Sequence, residues 1–121
     1  MVHRTIAKVA DAQGSPLAVA IEVSGHHLFG DEPVVKGGAN LGPSPYDLLT
    51  ASLGACTAVT VRWYALQKGW PLEQVHVEVE HSKIRLAGSE EVVDQFVKTV
   101  TIVGPALTPE QHAKLRDVAE K

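Results

Sequence analysis

The one cysteine of this 121-residue sequence, Cys56, is its most reactive side chain, set in Leu53-Gly54-Ala55-Cys56-Thr57-Ala58. Two readings of it follow from residue chemistry. Free cysteine commonly packs as a small buried hydrophobe. A thiolate nucleophile instead needs a cation or helix N-terminus to lower a free-thiol pKa of about 8.5. Helical spacing turns Arg62 about 240° away from Cys56 around the axis. Arg4, His26, His27, Lys36 and Arg85 are the remaining candidates, and spacing does not choose among them. A metal centre is not expected. His26 and His27 are neighbours and His76 and His81 lie five apart, so on strands the members of each pair point to opposite faces. A single cysteine also excludes an internal disulfide and any zinc site built on several thiolates. The sequence contains no phosphate-binding loop, nucleotide fingerprint or Ser-His-Asp set, and no cofactor is expected.

The element that must position Cys56 is a helix with clear borders. Ser44 is a good N-cap, Pro45 suits the first helical position, and Asp47 stands at capping-box spacing. Lys68, Gly69 and Trp70-Pro71 form a stop signal. The helix over Pro45–Lys68 has 24 residues, or roughly 36 Å. Leu48, Leu49, Leu53, Ala55, Val59, Val61 and Trp63 point all around its axis, and a helix apolar all round must be covered all round. One small sheet covers one side. A second copy of the chain is the simplest further cover.

Strands are expected on both sides of this helix. Thr5–Ala10 and Leu17–Val23 flank the turn residues Asp11–Pro16 and read as a hairpin. His26–Gly30 reads as a third strand, and Asp31–Pro45 as a Gly/Pro-rich loop. Beyond the helix, Gln74–Ser82 alternates, with Val75, Val77 and Val79 on one face and His76, Glu78 and Glu80 on a solvated one. Gly88–Glu91 connects to a strand at Phe96–Val103, and Thr108-Pro109-Glu110-Gln111 opens a terminal helix with Leu115, Val118 and Ala119 on its apolar side. The fold class is α+β, a mainly antiparallel sheet packed on a long central helix.

Composition narrows the function classes. With 45% hydrophobic and 21% charged residues, the chain reads as one globular domain over residues 1–121. Its net charge of −3 leaves no cationic footprint for a nucleic acid. The longest uncharged apolar stretch, Leu48–Val61, has 14 residues, against roughly 20 for a bilayer span. Lys8 and Asp11 interrupt any secretory pattern, so no membrane partner and a cytoplasmic location are expected.

The motifs taken in order carry a resemblance. Asp31-Glu32-Pro33, Gly37-Gly38, Gly42-Pro43-Ser44-Pro45-Tyr46-Asp47-Leu48-Leu49 and Leu53–Ala58 are followed by Lys68-Gly69-Trp70-Pro71-Leu72 and Leu107-Thr108-Pro109-Glu110-Gln111. Together they resemble the OsmC-like branch of the OsmC/organic hydroperoxide resistance family, through nearly the whole chain. The resemblance implies an intertwined homodimer whose two central helices are wrapped by sheets. It also implies a thiol-based peroxide reductase with Cys56 as the peroxidatic cysteine. Tyr46 and Asp47, at and beside the position of a family glutamate, and His26 and Arg4, from the candidate cations, are the supporting residues expected.

Three departures stand out. Family peroxidases carry an arginine in the first hairpin turn, and Asp11–Pro16 has none. They place a glutamate ten residues before the cysteine, where this chain has Tyr46 beside Asp47. Related chains continue into a Cys-Pro-Val-His segment with a resolving cysteine, which would start where this sequence ends, at Lys121. The expected function is reduction of peroxides, organic hydroperoxides foremost, in oxidative-stress defence. With one cysteine, turnover would need an external thiol reductant. The alternative is a noncatalytic dimeric small-ligand-binding protein with a structural Cys56.

Overall fold

In the computed structural model, which describes residues 4–120, three short strands precede one long helix and two long strands follow it. The elements are β1 (Ala7–Asp11), β2 (Val19–Val23), β3 (His26–Gly30), a 3-10 turn at Val34–Lys36, α1 (Pro45–Lys68), β4 (Gln74–Arg85), β5 (Val92–Val103) and α2 (Pro109–Glu120). The class is α+β, as expected. The strands form two separate antiparallel sheets, β1-β2-β3 and β4-β5, rather than one. The chain divides into two units, Met1–Leu49 and Thr50–Lys121.

The first unit is a three-stranded meander in which Val9, Ile21 and Leu28 stand in register on one face. Ser24 and Gly25 link β2 to β3 with φ of 49° and 79°, the paired left-handed geometry whose twist suits a two-residue hairpin. The first hairpin is shorter than its residue pattern predicts. Asp11 pairs with Val19, and the Ala12 amide donates to the Ala18 carbonyl at 2.9 Å, so Leu17 belongs to the connection.

A buried carboxylate organises the loop after β3. Asp31 is only 2% exposed. It accepts hydrogen bonds from the amides of Glu32 (2.7 Å), Ala39 (3.0 Å) and Leu41 (3.2 Å), and from the Ser15 hydroxyl (3.0 Å). Burial pushes its pKa up, but these donors outweigh burial and hold it below the ordinary value of 3.8. The loop also runs too close to its neighbours for side chains at two positions. A Cβ on Gly38 would strike the Glu32 carbonyl, and one on Gly42 the Phe29 carbonyl.

Local sequence chemistry sets both ends of α1. The Asp47 amide donates to Ser44 Oγ at 3.1 Å, and the Ser44 amide to Asp47 Oδ2 at 3.0 Å, a reciprocal capping box. At the other end Gly69 turns left-handed at φ 69°; its amide donates to the Leu66 carbonyl and that of Trp70 to the Ala65 carbonyl. That is a Schellman stop. A second reciprocal box, between Thr108 and Gln111, opens α2.

In the second unit β4 and β5 pair over their whole length, from Gln74↔Val103 to Arg85↔Val92. Both outrun the expected Gln74–Ser82 and Phe96–Val103. The apolar alternation fades beyond Val79, where the stacked pair His81↔Phe96 and the charged pair Lys83↔Asp94 continue the ladder. The core joins Val61 and Ala65 of α1, Leu72, Ile102 of β5, and Leu115 and Ala119 of α2. Within the chain α1 buries only Thr57, Val61 and Ala65. Val59, Trp63 and Leu66 stay more than half exposed, at 67%, 58% and 68%.

Two outcomes test this description. Because the pKa of Asp31 is lowered on folding, the stability it contributes is complete above the unfolded value near 3.8 and is lost as pH falls through the folded one. Protection of the Ala39 and Leu41 amides from hydrogen exchange, corrected for intrinsic rates, should therefore fall below about pH 4. In Asp31→Asn it should be low and flat with pH. Leu115, fully buried, should cost about 2–5 kcal/mol when cut to alanine, measured by urea unfolding followed through Trp70 fluorescence.

Candidate functional site

Cys56 lies midway along α1 and is exposed, not packed in the core of the second unit. Its direction follows from the contact made two residues earlier. A Cβ placed on Gly54 would lie 3.3 Å from Val79 Cγ2 and 3.9 Å from Val77 Cγ1, so this side of α1 faces the ribbon. Two residues on, Cys56 is turned about 200° away. It shares the outward side of the helix with Val59 and Trp63, both exposed. A shallow apolar groove of about 400 Å3 lies between this side and the ribbon, lined by Ala58, Val59, Arg62, Trp63, Leu66 and Val75 and not by Cys56.

Two cations of the second unit, Arg62 and Lys98, are held by carbonyl and hydroxyl acceptors. The Arg62 guanidinium donates to the Leu72 carbonyl at 2.8 Å and to that of Glu73 at 3.0 Å, which ties α1 to the segment leading into β4 and agrees with its facing away from Cys56. Arg85 closes β4 opposite Val92. Lys98 was not singled out by sequence reasoning. Its Nζ donates at 3.0 Å to the hydroxyl of Thr57, the residue after Cys56, and at 3.0 Å to the Ala119 carbonyl near the end of α2. A signal for it was present: Phe96, Lys98, Val100 and Ile102 occupy one phase of β5, and Lys98 is the charged member.

The supporting residues Arg4, His26, Tyr46 and Asp47 belong to the first unit. Arg4 is exposed ahead of β1. His26 is exposed at the start of β3, paired with Val23, while His27 pairs with Glu22 on the opposite face. Lys36 is exposed in the 3-10 turn. Tyr46 is 43% exposed in the first turn of α1. One oxygen of Asp47 is committed to the capping box. This unit also holds an apolar pocket of about 340 Å3, walled by Val9, Leu17, Val19, Ile21, Pro45 and Leu48 and bordered by Glu32. Among the described residues no three His, Cys, Asp or Glu side chains cluster to hold a metal ion, and no helix is long and apolar enough to cross a membrane.

Known proteins give this geometry a context. A family model described as OsmC-like protein matches residues 37–121. No curated protein matches the chain in sequence. Several solved structures share its fold at low identity. An OsmC-like protein from Mycoplasma pneumoniae superimposes with a TM-score of 0.76 at 15% identity, over 100% of this chain and 83% of its own. A protein from Psychrobacter arcticus, described as a putative osmotic stress induced and detoxification response protein, gives 0.72 at 22% identity, over 98% and 84%. The organic hydroperoxide resistance protein OhrB of Bacillus subtilis gives 0.59 at 16% identity, over 97% and 83%. With the family model matching residues 37–121, well over half of its length, the chain belongs to the OsmC family.

Proposed function

We propose that the protein is a homodimeric, cytoplasmic, thiol-dependent peroxide reductase in which Cys56 is the reacting group and residues 1–121 act as one OsmC-like domain. The observation that carries this reading is the exposure of the chain's one thiol on the outward side of the central helix of an OsmC-family fold. Structural relatives described as organic hydroperoxide resistance proteins support organic hydroperoxides as the substrate class. In the reaction the thiolate sulfur bonds to the distal peroxide oxygen and the O–O bond breaks. The leaving alkoxide takes a proton to become an alcohol, and the cysteine becomes a sulfenic acid. An external thiol then forms a mixed disulfide with loss of water, and a second thiol releases Cys56. Arg4 or His26 would supply the cation, and Tyr46 and Asp47 would border the site.

The homodimer follows from the uncovered flank of α1. Val59, Trp63 and Leu66 are each more than half exposed on one helix, and a second copy would bury them. An interface built on half of a shared core exceeds roughly 2,000 Å2 in obligate dimers. A second reading, a noncatalytic binding protein, draws on the apolar pocket of the first unit, whose 340 Å3 is within the range of small-ligand sites.

Mass spectrometry of protein treated with an organic hydroperoxide should show oxygen added at Cys56 and none in Cys56→Ser. A Cys56 that stays unmodified in millimolar hydroperoxide rejects the enzyme and leaves the binding protein. Sedimentation at micromolar concentration should give twice the 12.9 kDa chain mass. Trp63→Glu should abolish that species, while a wild-type monomer would refute the dimer.

A further inference from the structure

Lys98 shares a phase of β5 with Val100 and Ile102 and lies directly across the ladder from Val79, the residue that faces Gly54 of α1. A lysine head group is ordinarily kept in water. Lys98 is exposed as a residue, yet its head group is drawn onto two acceptors from two different helices, Thr57 Oγ1 and the Ala119 carbonyl, each at 3.0 Å. Thr57 is itself buried, at 7% exposure, and passes the contact on by donating to the Leu53 carbonyl at 3.1 Å. The chain of hydrogen bonds therefore runs from β5 into the turn of α1 that spans Leu53 to Thr57 and contains Cys56. At its other end the ammonium meets the carbonyl end of α2, where the helix dipole favours a cation. Holding a long flexible side chain in one rotamer costs entropy, and two charge-assisted hydrogen bonds offset it.

We propose that Lys98 is a positioning residue for the Cys56 thiol: through Thr57 it holds the helical turn that carries the thiol, and it fixes a positive charge beside that turn. The proposal rests on the reading of Cys56 as the reacting group and adds to it a charge supplied by the second unit itself. A peroxide-derived alkoxide and the thiolate are both anionic, so a fixed cation at this turn favours the reaction on both counts.

Alkylation of Cys56 by a matched pair of reagents, anionic iodoacetate and neutral iodoacetamide, separates charge from mere support. Cys56 is exposed in the single chain, and both rates are measured on the protein as it assembles, so the ratio compares the two reagents at equal access to one thiol. In Lys98→Met the iodoacetate-to-iodoacetamide rate ratio should fall about threefold at low salt, the size expected for one charge near a hydrated thiol. Lys98→Arg should restore the ratio. Thr57→Val, nearly isosteric, should lower it while keeping the lysine, and it decides the matter if Lys98→Met fails to fold. A lowered melting temperature with the rate ratio unchanged in Lys98→Met or Thr57→Val would make Lys98 a structural residue only and overturn the proposal. Hydroperoxide oxidation of wild-type Cys56 is followed in parallel. A thiol that shows the ratio change but resists hydroperoxide rejects the peroxidase and leaves the role of Lys98 standing.

Discussion

Burial of one flank of α1, and one only, is the constraint on which the second unit depends. Val61 and Ala65 meet Ile102, Leu115 and Ala119 on that flank, and this cluster joins the long helix to β5 and α2. The nearby row of Gly54, Val77 and Val79 brings helix and ribbon close because Gly54 has no side chain to separate them. Once this flank is set, helical geometry dictates what faces outward. Cys56, Val59 and Trp63 do, and so the thiol sits among exposed apolar groups.

The first unit is organised by a different kind of interaction. Its sheet is small, with every residue of β1 exposed, and apolar contact alone has little to work with. The loop beyond β3 is ordered by a carboxylate instead, with three backbone amides and a hydroxyl converging on Asp31. A buried charge is costly unless its lone pairs are filled. Asp31 meets that condition, and the same four bonds gather Ser15, Ala39 and Leu41 around it. The loop it shapes ends at Gly42, whose close approach to the Phe29 carbonyl leaves no room for a side chain, and leads directly into the cap of α1.

The chemistry proposed for this chain shares that economy of parts. A hydroxyl one residue beyond the thiol and a lysine from the neighbouring strand form a short polar path at the edge of an apolar core. Lys98 reaches Thr57 because β5 and α2 are packed against the same flank of α1. The position of the ammonium is thus a consequence of core packing and not of local sequence.

Residue pattern alone determined what depends on near neighbours. Both borders of α1 were legible because caps and stops are made within a few residues, by Ser44 with Asp47 and by Gly69 with Trp70. The start of α2 was legible from Thr108 and Gln111 in the same way. The order of strands and helices, and membership of the OsmC family, were also within reach of the motifs. Tertiary structure decided the rest. The outer halves of β4 and β5 show no apolar alternation and exist because each residue has a partner across the ladder. The exposure of Cys56 depends on which side of α1 the ribbon takes, and an all-round apolar helix does not encode that side. Asp31 and Lys98 act through partners 10, 16, 21 and 41 residues away. Contacts of that range have no local signature, because a side chain's partner is set by how the chain folds back on itself.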